Sequence, residues 1–341
     1  MSKNKNDLLT PNELTPEVKA SMRTRIISAV VGSLIVLPFL FMGDYFCFAL
    51  IAFLLFVASY EIIHCAKKKY CIALYIVSMI MAALMAYAPL WINLPQFING
   101  TKTFDWHLYT AFDRIYVSVA ILAVGAFSSF SMVLIDKGFT VRDATFIFTM
   151  LLLISVGFQS TLYLRCLPAK MYHAAYGMPE SYFNWYDNFE SAMLIIYILI
   201  GTFVTDGGAY FVGVFFGKHK MNERISPKKT WEGFFGGVII SSFVSFAFAF
   251  TFALCGRPIV VGIFDLAHWY YILILSLILP FFSTLGDFVF SSVKRHYEIK
   301  DFGNIMPGHG GVLDRLDSMM FTMIVTGMFF GAIEYFGAFF K

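Results

Sequence analysis

Apolar stretches of about 20 residues recur along this chain, separated by short segments rich in charged residues, proline or glycine. A helix of about 20 apolar residues spans the hydrocarbon core of a bilayer. The pattern therefore predicts about nine transmembrane helices, at residues 25–43, 45–64, 71–92, 115–135, 145–165, 191–216, 234–254, 268–292 and 317–338. The predicted fold class is all-α, in a polytopic integral membrane protein.

The composition supports a membrane environment. Hydrophobic residues make up 59% of the 341 residues and charged residues only 14%, whereas a soluble domain carries about 25% charged residues. The mean hydropathy is +0.72. The five cysteines are scattered without metal-binding spacing. We expect membrane lipids around the chain and no nucleic-acid partner.

The distribution of positive charge predicts the orientation. With the N-terminus in the cytoplasm, 19 of the 25 Lys and Arg residues fall in cytoplasmic segments and 6 fall outside. Cytoplasmic loops retain positive charge, so an N-in, C-out topology in the cell (inner or plasma) membrane is expected. Residues 1–24 are predicted to be a polar cytoplasmic tail, without a cleavable signal peptide.

Polar residues divide the predicted helices into two regions. The five spans within 25–190 hold few polar residues beyond Glu61 and a serine cluster, and are interpreted as a scaffold. Residues 191–341, with the last four spans, are interpreted as the catalytic region because Asp206 and Asp287 lie within spans there. A charged side chain inside a span costs at least about 2.5 kcal/mol, so each is a functional-site hypothesis. Alternatively, Asp206 pairs with a Lys or Arg of a neighbouring helix.

A basic segment precedes the seventh predicted span. It reads Ser226-Pro-Lys228-Lys229-Thr230-Trp-Glu-Gly233. Two adjacent lysines beside a helix start concentrate positive charge and free backbone N–H groups, which suits a polyphosphate. The alternative is an ordinary positive anchor at the membrane surface.

Residues 286–317 carry the most specific pattern. Asp287, Ser291 and Lys294 lie at i, i+4 and i+7 on one helix face, and Asp314 and Asp317 lie at i and i+3. Clustered carboxylates repel each other unless a cation joins them, and oxygen ligands near phosphate favour Mg²⁺. The nearby His309 is interpreted as a metal ligand, an acid or a hydrogen-bonding loop residue.

This segment resembles the signature of the phosphatidate cytidylyltransferase family, also called CDP-diacylglycerol synthases. The matching positions are Ser291, Lys294, Arg295, Lys300, Asp301, Gly303, His309, Gly310, Gly311, Asp314, Arg315 and Asp317. The Ser226–Gly233 segment is also typical of the family. Two mild departures are Gly207-Gly208, where a Thr or Ser is expected after Asp206, and Met306, where Leu, Ile or Phe is commoner.

The resemblance implies transfer of CMP from CTP to phosphatidic acid, with release of pyrophosphate. It implies a Mg²⁺ site on Asp287, Asp314 and Asp317, a second cation such as K⁺, a homodimer and an active site on the cytoplasmic face. The implied catalytic residues are Lys294, Arg295, Asp314, Arg315 and Asp317. The implied substrate-binding residues are Asp206, Ser226, Lys228, Lys229, Thr230, Ser291, Lys300, His309, Gly310 and Gly311.

Two kinds of alternative stay open at this point. A related enzyme would use CTP on another lipid, as a CDP-archaeol synthase or a polyprenol kinase does. A transporter would relay protons or cations through Asp206 and Asp287. A transporter is expected to contain repeated halves with broken helices, and the sequence has no such repeat.

Overall fold

The computed structural model describes residues 27, 31–32, 34–88, 113–177, 185–305 and 310–339. Eight helices and one small hairpin within these residues are labelled here in chain order. They are α1 (Asp44–His64), α2 (Ile72–Ala86), α3 (Asp113–Ile135), α4 (Val141–Tyr176), α5 (Trp185–Phe216), β1 (Lys220–Asn222), β2 (Ser226–Thr230), α6 (Trp231–Leu254), α7 (Trp269–His296) and α8 (Leu313–Phe339).

Six described helices are long and apolar enough to cross a membrane. These segments are Phe46–His64, Val141–Tyr176, Asn188–Phe216, Trp231–Leu254, Trp269–His296 and Leu313–Tyr335. Two shorter apolar helices, Ile72–Ala86 and Val119–Ile135, coincide with the third and fourth predicted spans. The predicted polytopic all-α membrane protein is therefore confirmed. The first predicted span lies partly outside the described residues, so the number nine and the orientation stay predictions.

The predicted spans 145–165 and 191–216 leave residues 166–190 as a connection, and this prediction is wrong over much of that segment. Helix α4 continues to Tyr176, and α5 already begins at Trp185. Polar side chains in both extensions have partners within the protein: Asn188 Oδ1 accepts from Arg165 Nη2 at 2.7 Å, and Lys170 Nζ lies 3.0 Å from Glu334 Oε1. Gly177 ends α4 in the left-handed conformation, with φ 63°.

The two predicted regions share one core. Their boundary at residues 190 and 191 falls inside α5. Helix α4 packs against both α5 and α8, while α8 also packs against α7. Buried polar contacts join the last helices: Tyr197 Oη lies 2.8 Å from Ser276 Oγ, and Thr202 Oγ1 lies 3.0 Å from Thr322 Oγ1.

Helices α5 and α6 pack most closely at glycines. A Cβ at Gly237 would lie 2.7 Å from Thr205 O, and one at Gly233 would lie 2.6 Å from Ala209 O. Small residues permit such approach between membrane helices. The loop joining α5 to α6 contains the antiparallel hairpin of β1 and β2, with Lys220 opposite Thr230. The hairpin was not predicted, and it holds the basic segment against the ends of both helices.

Candidate active site

The end of α7 and the start of α8, both predicted to lie on the cytoplasmic side, meet at a cluster of positively and negatively charged side chains. On α7, Ser291 Oγ donates to Asp287 Oδ1 at 3.1 Å, so these residues share one face as predicted. Lys294 lies one turn further on and points towards α8. Its Nζ atom lies 2.9 Å from Asp314 Oδ1 and 3.7 Å from Asp317 Oδ2. The structure therefore brings together the Asp and Lys residues that the sequence pattern singled out on these two helices.

Asp314 is fully engaged within the protein. While Oδ1 accepts from Lys294, Oδ2 accepts from the backbone N–H groups of Phe302 at 2.7 Å and Gly311 at 3.0 Å. The ring of Phe302 also lies 5.4 Å from Lys294 Nζ, a distance suited to a cation–π contact. Asp314 thus joins the 297–312 loop to both helices.

The hairpin contributes a second ion pair. Lys229, on β2, pairs with Asp287 of α7, and its Nζ lies 5.0 Å from the centre of the Phe288 ring. Thr230 follows and caps α6, because its Oγ1 accepts from Gly233 N at 3.1 Å. Lys229 and Thr230 therefore have different tasks: one reaches the charged cluster, and the other fixes the helix start beside it.

Asp206 approaches this cluster from α5. It interacts electrostatically with Lys229, Asp287 and Arg315. Asp317 interacts electrostatically with Asp287 and Asp206. Among the described residues, no Lys, Arg or His nitrogen forms a salt bridge of 4.0 Å or less with an Asp206 carboxylate oxygen. The carboxylates of Asp206, Asp287 and Asp317 are thus close enough to repel one another, and Lys229 and Lys294 partly offset their charge.

The remaining predicted site residues differ in their exposure and in their partners. Arg295 is directed towards backbone oxygens, with Nε 3.3 Å from Ile225 O and Nη1 3.4 Å from Ile299 O. Lys228, Lys300 and Arg315 are exposed, and Ser226 is partly exposed and pairs with Asn222 in the hairpin. Gly310 has a left-handed φ of 85°, which permits the turn into α8. His309 lies outside the described residues.

Glu61 was assigned to the scaffold, yet it contacts the site. This α1 residue is 2% exposed, and its two carboxylate oxygens accept from Val312 N at 2.9 Å and Leu313 N at 2.8 Å. Its unusual position, an acid within an apolar span, was the available signal. The partner, some 250 positions away in the chain, could not be identified without the tertiary structure.

The donor set suits a Mg²⁺ ion that arrives with phosphate. In the part of the chain that the structure describes, no three His, Cys, Asp or Glu side chains form a cage for a metal. Mg²⁺ is commonly bound by one or two carboxylates together with substrate phosphates and water, rather than by an all-protein cage. The carboxylates of Asp287 and Asp317, which interact electrostatically, fit that pattern.

Comparison with known proteins gives a consistent result. Residues 23–333 match the model of the cytidylyltransferase family. A phosphatidate cytidylyltransferase of Staphylococcus saprophyticus is 31% identical over 307 residues, which cover 89% of this chain and 96% of that relative. One from Staphylococcus haemolyticus is 32% identical, with 89% and 96% covered. One from Bacillus subtilis is 44% identical over 149 residues, which cover 43% of this chain and about half (51%) of that relative.

Proposed function

Because the chain belongs to the cytidylyltransferase family, we propose that it transfers CMP from CTP to phosphatidic acid, forming CDP-diacylglycerol and pyrophosphate. The observation that carries the proposal is the charged cluster in which the Lys229–Asp287 pair lies beside the pair of Lys294 with Asp314. Relatives matched over 96% of their length are named phosphatidate cytidylyltransferases, which supports the same reaction here.

The reaction needs alignment and charge neutralisation more than proton transfer. An oxygen of the lipid phosphate forms a bond to the α-phosphorus of CTP, while the bond from that phosphorus to the bridging oxygen breaks and pyrophosphate leaves. The lipid phosphate is already anionic near neutral pH, so no general base is required. Positioned positive charge is the expected source of catalysis in phosphoryl-type transfer.

The lysines of the cluster suit the phosphates. Lys229 and Lys294 each neutralise a carboxylate in the cluster, and phosphate oxygens that enter would compete for the same ammonium groups. Lys228, next to Lys229 in the chain, and Arg315, next to Asp314, are exposed and would add positive charge, as would the exposed Lys300. Arg295, in contrast, bridges α7 to the hairpin backbone, so its contribution is to hold Lys229 and Lys294 at a fixed separation.

Asp287 and Asp317 are the residues that would hold Mg²⁺, and Asp206 would add negative charge nearby. The bound ion would neutralise the triphosphate and the departing pyrophosphate. Asp314 would keep Lys294 and the 297–312 loop in place, since both of its oxygens already have donors. A second cation such as K⁺ is part of the same proposal.

The site would open to the cytoplasm for CTP and sideways to the bilayer for the lipid. The support for this orientation is the concentration of Lys and Arg around the hairpin and the 294–315 segment. The protein would act in the inner or plasma membrane and, by family resemblance, as a homodimer.

Purified protein in detergent provides the test. CTP labelled at the α-phosphate should yield labelled CDP-diacylglycerol and an equal amount of pyrophosphate only when phosphatidic acid and Mg²⁺ are present. Labelled CDP-archaeol formed from an archaeol phosphate acceptor would instead assign the chain to a related cytidylyl transfer, and conversion of the labelled CTP to labelled CDP in the presence of a polyprenol would indicate transfer of the γ-phosphate by a kinase. Absence of transfer to any of these acceptors would contradict the proposal.

A further inference from the structure

The start of α8 receives its cap from another helix. Glu61 lies in the last turn of α1, and its carboxylate accepts from the consecutive amides of Val312 and Leu313. The first N–H groups of a helix have no partner within the helix, and a carboxylate there also interacts favourably with the helix dipole. Glu61 therefore caps the start of α8 from a different helix, whereas a capping side chain usually comes from the residue just before the helix.

Two glycines of the 297–312 loop make room for this carboxylate. A Cβ on either Gly303 or Gly311 would overlap Glu61 Oε1. Both positions belong to the signature-like segment described above. Their small size allows the loop backbone to close around Glu61, so the loop conformation and the position of Glu61 depend on each other.

The amides next to Glu61 belong to the turn that carries the charged cluster. Asp314 directly follows Leu313, and its Oδ2 accepts from Gly311 N, the amide just before the pair taken by Glu61. Glu61 and Asp314 thus divide three successive N–H groups at the start of α8 between them. Asp317 lies one turn further along the same helix and faces Lys294.

We propose that Glu61 is a positioning residue for the reaction: by binding the Val312 and Leu313 amides it fixes the start of α8, and with it the carboxylates of Asp314 and Asp317. The catalytic part of this inference rests on the proposed function, whereas its structural part does not. A buried carboxylate in an apolar helix is costly unless it is satisfied, and both oxygens of Glu61 are satisfied by this one turn.

Two substitutions separate the acceptor from the charge. Glu61→Gln keeps the length but replaces one acceptor oxygen with an NH₂ group, which faces a backbone N–H and cannot accept from it. Glu61→Asp keeps the charge but is one methylene shorter, so it cannot reach both amides. We expect kcat per folded molecule to fall at least tenfold in E61Q and by a smaller factor in E61D. The KM for phosphatidic acid should stay within about twofold of wild type, because the acyl-binding surface is unchanged.

Hydrogen–deuterium exchange of the full-length protein in detergent gives a readout that does not depend on activity. Amides in residues 311–316 should exchange at least tenfold faster in E61Q than in wild type. The matched control is Asp143→Asn, since Asp143 is also a buried carboxylate at a helix start, where it accepts from Thr140 N at 3.0 Å. D143N should speed exchange at the start of α4 and leave kcat per folded molecule and residues 311–316 unchanged.

The outcomes are distinct. Wild-type exchange at 311–316 in E61Q would overturn the inference, and so would faster exchange with unchanged kcat. If E61Q does not yield monodisperse protein, E61D provides the same comparison. A wild-type protein that forms no CDP-diacylglycerol would contradict the proposed function, and the exchange of residues 311–316 would then decide the role of Glu61 by itself.

Discussion

Lys294 of α7 and Asp314 of α8 form an ion pair of 2.9 Å, with side chains only 10% and 1% exposed. Removing one member of a buried pair leaves an uncompensated charge, which typically costs about 3–5 kcal/mol. We expect Lys294→Met and Asp314→Asn each to destabilise the protein by this order and to lose nearly all turnover. Because the two residues contact each other, the double variant should lose at least about 1 kcal/mol less than the sum of the single losses.

Equilibrium unfolding in mixed detergent micelles measures these effects. Lys170 and Glu334 form the matched control, an ion pair of 3.0 Å with side chains 13% and 15% exposed, which joins α4 to α8 away from the cluster. Lys170→Met should lower stability without changing turnover per folded molecule. Strictly additive losses for Lys294 and Asp314 would mean that the pair does not act as a unit.

Asp287 and Asp314 should respond differently to Mg²⁺. The Asp287 side chain is 24% exposed and its partners are the side chains of Ser291 and Lys229, whereas the Asp314 side chain is 1% exposed and accepts from two backbone N–H groups as well as from Lys294. We expect Asp287→Asn to raise the Mg²⁺ concentration for half-maximal activity at least tenfold, because one carboxylate of the proposed Mg²⁺ site is lost. Asp314→Asn should lower the maximal rate with a nearly unchanged Mg²⁺ midpoint.

The measurement is activity against Mg²⁺ concentration, normalised to monodisperse protein. A shifted midpoint in the Asp314 variant and an unshifted one in the Asp287 variant would reverse the two roles. Unshifted midpoints in both would remove this pair of residues from the metal site.

The two adjacent lysines of the hairpin should contribute unequally. Lys229 pairs with Asp287 and lies beside Phe288, whereas Lys228 is exposed. Lys229→Gln is expected to raise the KM for CTP about tenfold or more, and Lys228→Gln by a smaller factor, because a phosphate contact inside the cluster is less screened. Lys220→Gln, on the paired strand, is the control and should leave the KM for CTP and the KM for phosphatidic acid unchanged. Equal effects on CTP and on the lipid would indicate an anchoring role for the hairpin.

The proposed orientation can be tested with an impermeant thiol reagent in sealed right-side-out vesicles. Glu223→Cys in the hairpin turn and Asn304→Cys in the 297–312 loop are both at exposed positions and should stay unlabelled. Native Cys255 is exposed just after α6, at the opposite end of that helix from the hairpin, and should be labelled. Labelling of the two introduced cysteines in intact vesicles, with Cys255 protected, would invert the topology.

The close contact between α5 and α6 predicts sensitivity at Gly237. An Ala in place of Gly usually favours a helix by up to about 1 kcal/mol. At Gly237 the added Cβ would lie 2.7 Å from Thr205 O, so we expect Gly237→Ala to destabilise by about 1–3 kcal/mol. Gly331→Ala in α8, where nothing lies within 4 Å of the added Cβ, should be neutral or stabilising. Thermal unfolding of both variants in the same detergent checks the sign, and stabilisation at Gly237 would mean that the helices can separate without cost.

The sequence by itself determined the membrane class, because an apolar stretch long enough to span a bilayer is a local property of the chain. It also placed Asp287, Ser291 and Lys294 on one face, since helical spacing alone decides this, and the Ser291–Asp287 hydrogen bond confirms it. The positions of the helix ends were harder to predict from the sequence. Helix α4 runs past its apolar stretch to Tyr176, and within this extension Lys170 pairs with Glu334 of α8; hydropathy contains no information on that pairing.

Only the tertiary structure decided which charges meet. From the sequence, Lys229 could equally have contacted solvent or lipid. Its pairing with Asp287 depends on the hairpin. The pairing of the two hairpin strands cannot be read from the periodicity of a helix. Glu61 was visible as an acid in an apolar span, but its task is set by amides of Val312 and Leu313, which lie far away in the chain. Local sequence patterns indicate whether a helix lies in water or in lipid and which residues share one of its faces. The partner of a buried charge is instead determined by packing between helices, because a buried carboxylate without a partner would destabilise the fold.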